Sequence, residues 1–177
     1  LMIRKLLFVC LLLVLAASSQ AQILLNGSFE DSTITTNDTV PRFWSADYFG
    51  FGFTTDAFAG NQAAEIWNWY SYARGWLIYG AATNTLTGGG QPVSVNPDRL
   101  TGVYKYIYGD NGGALDSAIC EILVFSHQNF TGARDTVGRA THHFGPQAEY
   151  TAFDIPIHYT MPGLAADTVV VKFISSI

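Results

Sequence analysis

Beyond residue 21, no stretch of the chain sustains the 3.6-residue apolar period of a helix. What recurs instead are short runs in which apolar and other side chains alternate, each closed by Gly, Pro, Asn or Asp. Residues 117–125, 133–144, 150–159 and 167–175 read this way. Within 150–159, Phe153, Ile155 and Ile157 share a face; within 167–175, Val169, Val171 and Phe173 oppose Val170, Lys172 and Ile174. The runs are separated by "HQNFTG", "GPQAE" and "MPGLAAD". Short strands at fairly even spacing with Gly/Pro turns predict an all-β fold, an antiparallel β-sandwich or jelly roll.

The first half is less regular. Residues 23–31 read as a strand running into a turn, 42–53 as an aromatic, Gly-punctuated strand or loop, and 74–80 as a short strand. In 61–70, Ala64, Ile66 and Asn68 alternate against Glu65, Trp67 and Trp69. Residues 81–98 are too polar and too rich in Gly, Thr, Asn and Pro for a helix, and read as one long loop. Between the halves, 99–110 reads as a central strand with unlike faces. Tyr104, Tyr106 and Tyr108 lie on one side; Val103, Lys105 and Ile107 lie on the other.

The N-terminus predicts export. Arg4 and Lys5 precede an apolar run from Leu6 to Ala16, and Ser19 and Ala21 stand at −3 and −1 of a small-residue cleavage site. The run is too short for a comfortable membrane span. Residues 1–21 are therefore read as a signal peptide and 22–177 as one domain, secreted or held at the cell surface. Removal of the leader takes Cys10 with it and leaves Cys120 without an intrachain partner, so stability must come from the core or a bound ion. Cys120 alternates within an apolar strand and reads as a buried hydrophobe. The formal net charge is −5 and no basic run follows the leader, which argues against nucleic acid or an anionic membrane as partner.

Several blocks carry a family resemblance. "LLNGSFED", then "PRFW", then "DAFAGNQAAEI" resembles the opening of galactose-binding-like jelly-roll modules. "GGGQPVSVNPDRLTGVYKY", "DSAICEILVF" and "EYTAFDIPIHY" followed by "DTVVVKFISS" resembles the secreted β-sandwich carbohydrate-metabolism domains (PCMD) of Bacteroidota, with Val103 standing where that group has Tyr. The resemblance covers nearly all of the chain after the leader, in order. It implies a galactose-binding-like jelly roll of about nine strands, with one more expected beyond Ile177. It also implies a structural calcium held by the Glu30 carboxylate and the carbonyls of Ser28 and Asn61.

The candidate ligand-binding group is the aromatic cluster Trp67, Trp69, Tyr70, Tyr72 and Trp76, with Asn68 and Arg74 as local polar partners. Sugar rings lie with their C–H faces on aromatic rings, while an amide or guanidinium bonds their hydroxyls. The same residues would be core if they lay between the sheets. The expected function is a non-catalytic module that binds carbohydrate. The alternatives are a structural or adhesive surface domain with no small ligand and, less favoured, a polysaccharide-degrading enzyme. Nothing among Asp110, Asp116, Glu121, Asp135, Glu149 and Asp154 selects the facing pair that glycoside hydrolysis needs. His127, His142, His143 and His158 lack metal-ligand spacing and read as structural or surface residues. Five Asp-Ser/Thr steps, beginning at Asp31, Asp38, Asp116, Asp135 and Asp167, resemble the O-glycosylation sequon of secreted Bacteroidota proteins.

Overall fold

The computed structural model describes residues 24–34, 39–69, 73–82, 88–107, 117–127 and 134–175. None of these residues is helical. In chain order the strands are β1 (Ser32–Ile34), β2 (Thr39–Pro41), β3 (Trp44–Ala46), β4 (Phe51–Thr54) and β5 (Ala63–Ile66). Next come β6 (Asn68–Trp69), β7 (Ala73–Arg74), β8 (Trp76–Tyr79), β9 (Gln91–Pro92) and β10 (Arg99–Tyr106). The last are β11 (Ala118–Ser126), β12 (Asp135–Phe144), β13 (Gln147–Pro156), β14 (His158–Tyr159) and β15 (Thr168–Ile174). The leader lies outside the described residues, as do Tyr70, Tyr72, Tyr108, Asp110 and Asp116.

The larger layer is a seven-stranded sheet in the order β14-β12-β11-β15-β8-β3, with β9 also on β15. Its named strands pair antiparallel throughout. The alternation of β11 and β15 sets its inner face: Cys120, Ile122 and Val124 lie beside Val169, Val171 and Phe173, and the apolar set continues into Leu77, Tyr79 and Trp44. Two separate pairs, β10–β13 and β4–β5, bring Leu100, Tyr104, Phe153, Ile155, Phe51, Phe53, Ala64 and Ile66 to the same core. The result is an all-β, sandwich-like arrangement of two layers. Deleting methylenes from such a close-packed core typically costs 2–5 kcal/mol per large-to-Ala change.

Several expectations need correction. Residues 24–28 form a turn rather than a strand. Asn26 and Phe29 hold positive φ, and the Asn26 side chain accepts from the Asp31 N–H at 3.0 Å while its Nδ2 donates to the Asp31 and Arg42 carbonyls. An Asn that satisfies neighbouring backbone in this way competes with a strand ladder. The strand predicted over 61–70 breaks at Trp67 into β5 and β6. The strand predicted over 150–159 begins at Gln147 and changes layer at Ile157, where β14 turns back to pair with β12.

The Tyr strand is not central either. Among the described residues β10 pairs only with β13, and the middle of the large sheet is β11–β15. Tyr104 and Lys105 face opposite ways as expected: Tyr104 packs at 4.6 Å centroid distance on Phe144, while Lys105 turns outward to Asp56 at 2.6 Å; beyond Tyr104 the register with β13 slips. The Gly-rich loop does not stand away from the body. Gly89 and Gly90, both at positive φ, lie against Ile78, Val170 and Thr168, on the outer face of the large sheet. That cover accounts for the full burial of Ile78 and Val170 on a face that would otherwise meet water.

Cys120 is buried, as its alternation predicts, and burial pushes its thiol up to about 12. The buried thiol therefore remains protonated and unreactive at neutral pH.

Candidate functional site

Two chain crossings between the layers meet at one corner. Residues 47–50 carry the chain from β3 to β4, and the described residues 67–69 and 73–75 lie between β5 and β8. They are stitched together: Trp67 N–H donates to the Gly50 carbonyl at 3.0 Å, Gly75 N–H to the Trp67 carbonyl at 3.1 Å, and Asp47 N–H to the Trp76 carbonyl at 3.0 Å. Gly50 and Gly75 touch there, backbone to backbone.

Trp67 stands on this corner, 38% exposed. Phe51 and Phe53 of β4 point inward, so Gly52 between them presents its missing side chain outward. The six-membered ring of the indole fills that space; a Cβ on Gly52 would lie 2.9 Å from its Cη2. The indole is thus spread on the outside of the β4–β5 hairpin. Tyr48 and Phe49, from the neighbouring crossing, are exposed and pack edge to face at 4.7 Å. Sequence reasoning missed Gly52, Tyr48 and Phe49. The Gly-Phe-Gly-Phe alternation of 50–53 was their available signal, since Gly within a strand marks close approach of another group.

The remaining members of the cluster separate. Asn68 is exposed, and its Oδ1 accepts from the Ser175 hydroxyl. Arg74 is exposed on the same crossing. Trp76 pairs with Ile174 on the outer face of the large sheet, the opposite side of the molecule from Trp67. One sugar ring cannot stack on both. Trp69 has its backbone in β6 while its side chain lies outside the described residues, as do Tyr70 and Tyr72.

Glu30 and Asn61 meet at the N-terminal turn, in which Ser28 is exposed. Glu30 Oε1 accepts from Asn61 N–H at 2.8 Å and Gln62 N–H at 3.2 Å, and Oε2 accepts from Asn61 Nδ2 at 3.2 Å. Gln62 Nε2 returns a bond to the Phe29 carbonyl at 2.7 Å. The N–H groups of Asn61 and Gln62 hold the Glu30 carboxyl below its usual value of 4.5. Glu30 is therefore anionic, as calcium binding requires, but three of its acceptor directions already hold N–H donors. The described residues contain no convergent group of three His, Cys, Asp or Glu. Because the folded value is lowered, the brace stabilises above pH 4.5 and is lost as pH falls through the folded value. Glu30→Gln is expected to melt below the parent at pH 7, with the gap narrowing as pH falls below 4.5. A gap that stays constant across that range in thermal melts would show that the carboxylate charge is not what holds the turn.

The histidines serve the fold. His142 packs on Phe144 at 4.7 Å, and Ser117 lies 3.4 Å from His143 Nδ1. His127 Nδ1 lies 2.9 Å from Asp167 Oδ1, and the His127 N–H donates to Asp167 Oδ2 at 2.6 Å. No helix among the described residues is long and apolar enough to cross a membrane. Compared with known proteins, the chain matches no family model, no curated protein and no solved structure.

Proposed function

We propose that this chain is a secreted, non-catalytic carbohydrate-binding module, built as a galactose-binding-like jelly roll of the kind its sequence blocks resemble. The observation that carries the reading is the Trp67 indole, spread over Gly52 on the outside of the β4–β5 hairpin and open to solvent. A large aromatic is normally worth burying. Here a glycine makes room for it outside the core, which gives a flat apolar shelf with Asn68 and Arg74 on the same crossing. Trp76 is not part of that shelf. Calcium belongs to the reading as a scaffold ion at Glu30, with the carbonyls of Ser28 and Asn61; it would clamp the N-terminal turn and supply no chemistry.

The test is a glycan array with the mature chain, with and without chelator. Binding is expected to fall at least tenfold in Trp67→Ala, the equivalent of about 1.4 kcal/mol. Gly52→Val, which displaces the ring without removing it, is expected to do the same. Binding that survives both substitutions overturns the reading.

A structural or adhesive surface domain is the second reading. It is favoured by the tie between Asn68 and Ser175 and by the opposite placement of Trp76, because both are fold contacts. It predicts no glycan binding by the mature chain.

A further inference from the structure

The outer face of the β4–β5 and β10–β13 layer carries a second aromatic group, which the sequence blocks did not single out. Along β13 the inward residues are Phe153 and Ile155, so Tyr150, Ala152 and Asp154 face out. The Tyr150 hydroxyl donates to the Asp56 carbonyl, which fixes the ring at the tip of the β4–β5 hairpin. Phe58, from that tip, lies 5.9 Å from the Tyr150 ring and is 64% exposed, among the most open large apolar side chains described. Lys105 Nζ sits 5.9 Å above the Tyr150 ring and 2.6 Å from Asp56 Oδ2. Both aromatic rings are thus held by neighbours, and an exposed face is left to Phe58.

This group shares its face with Trp67. Gly52, which seats Trp67, pairs with Glu65, and Glu65 is near enough to Tyr150 to help raise its hydroxyl's pKa, after burial and Asp56. From Gly52 to the start of the 55–62 tip is roughly 10 Å along the strand at about 3.3 Å per residue. The strip from Trp67 past Glu65 to Tyr150 and Phe58 is therefore longer than one sugar ring.

Charge on the strip selects among polymers. Along β10 and β13 its cations are paired, Lys105 with Asp56 and Arg99 with Asp154 at 2.7 Å, while Arg74 stands exposed at the Trp67 end. Glu65, exposed and across the hairpin from Gly52, adds a carboxylate to this face. At the Phe58–Tyr150 end an anionic chain would be repelled, while the hydroxyls of a neutral one can donate to these carboxylates.

We propose that Phe58 and Tyr150 form a second, distal subsite for a neutral polysaccharide chain that is bound in extended form from Trp67 along this face. The proposal rests on the glycan-binding reading above. The experiment measures affinity of the mature chain for neutral oligosaccharides of three and six units, prepared from a glucan, a mannan, a xylan and a galactan, with a polyuronate as the anionic probe. The six-unit chains are expected to bind tighter than the three-unit chains, and the polyuronate not to bind. Phe58→Ala and Tyr150→Ala are expected to weaken the six-unit chain about tenfold, as loss of one aromatic contact implies, and to leave the three-unit chain unchanged. Tyr150→Phe, which keeps the ring, is expected to bind as the parent does; thermal melts of each variant establish that it is folded. If Trp67→Ala abolishes binding while Phe58→Ala and folded Tyr150→Ala leave both lengths unchanged, the distal subsite is wrong and the Trp67 reading stands. If no neutral chain binds the parent, the Trp67 reading itself fails. Tighter binding of the polyuronate than of every neutral chain overturns the assigned ligand class.

Discussion

Gly75→Ala is expected to cost the domain about 3 kcal/mol or more, a large share of the roughly 5–15 kcal/mol by which native domains are stable. A Cβ at Gly75 would fall inside the carbonyl oxygens of Gly50 and Trp67, and one at Gly50 would meet the Gly75 Cα and, at 2.7 Å, the Trp67 oxygen. These are backbone atoms, so no side chain can swing aside. The chains can part only by giving up the bonds from Gly75 N–H to Trp67 and from Trp67 N–H to Gly50, each worth about 1 kcal/mol net. The Ser175 N–H to Gly75 carbonyl bond, 2.9 Å, ties the same point to the end of β15. Urea unfolding followed by far-UV circular dichroism reads the loss. Gly145→Ala and Gly163→Ala are the controls, because nothing lies within 4 Å of either site, and they are expected within about 0.5 kcal/mol of the parent. A Gly75→Ala midpoint as close to the parent as the controls would mean that the two crossings are not in contact. The corner also carries Trp67, so partial folding should take glycan binding with it.

The second large effect is expected at Lys172. Its side chain is only 9% exposed on the outer face of β15, between the buried Val170 and Ile78, with Nζ 2.9 Å from Glu121 Oε2. Glu121 stands directly across from it in β11. Taking an ammonium out of water is costly, and the facing carboxylate offsets that cost. Glu121→Ala is therefore expected to destabilise by about 2 kcal/mol, below the fully buried range because Glu121 keeps part of its surface in water. The double variant Glu121→Leu/Lys172→Met replaces the pair with apolar side chains of similar size, and it is expected to be at least as stable as the parent. A double-mutant cycle on thermal or urea melts measures the coupling. Coupling under about 0.5 kcal/mol would mean that the pair behaves as an ordinary surface ion pair.

Three of the alternating runs of the second half form β11, β12 and β15 with small changes at their ends, because period-2 burial is written locally into each, whereas the 150–159 run divides into β13 and β14 on different layers. Cys120 and the inward set of β15 could be named for the same reason. The turn at Asn26 is written in its Asn-Gly step, although the apolar residues before it favour a strand. The break at Trp67 had no local signal, since both sides of it alternate correctly.

The candidate site divides along the same line. The all-β class, the alternation of the main strands, and an aromatic cluster with polar neighbours between residues 67 and 76 are legible in the residue order alone. Only the tertiary structure decided that Trp67 lies outside the β4–β5 hairpin, that Trp76 lies on the far side of the large sheet, and that Phe58 and Tyr150 share the Trp67 face. Alternation says which side chains share a face of their own strand. It says nothing of which layer that strand joins, because layer and partner are set by contacts between residues far apart in the chain, such as Gly50 with Gly75 and Asp56 with Tyr150.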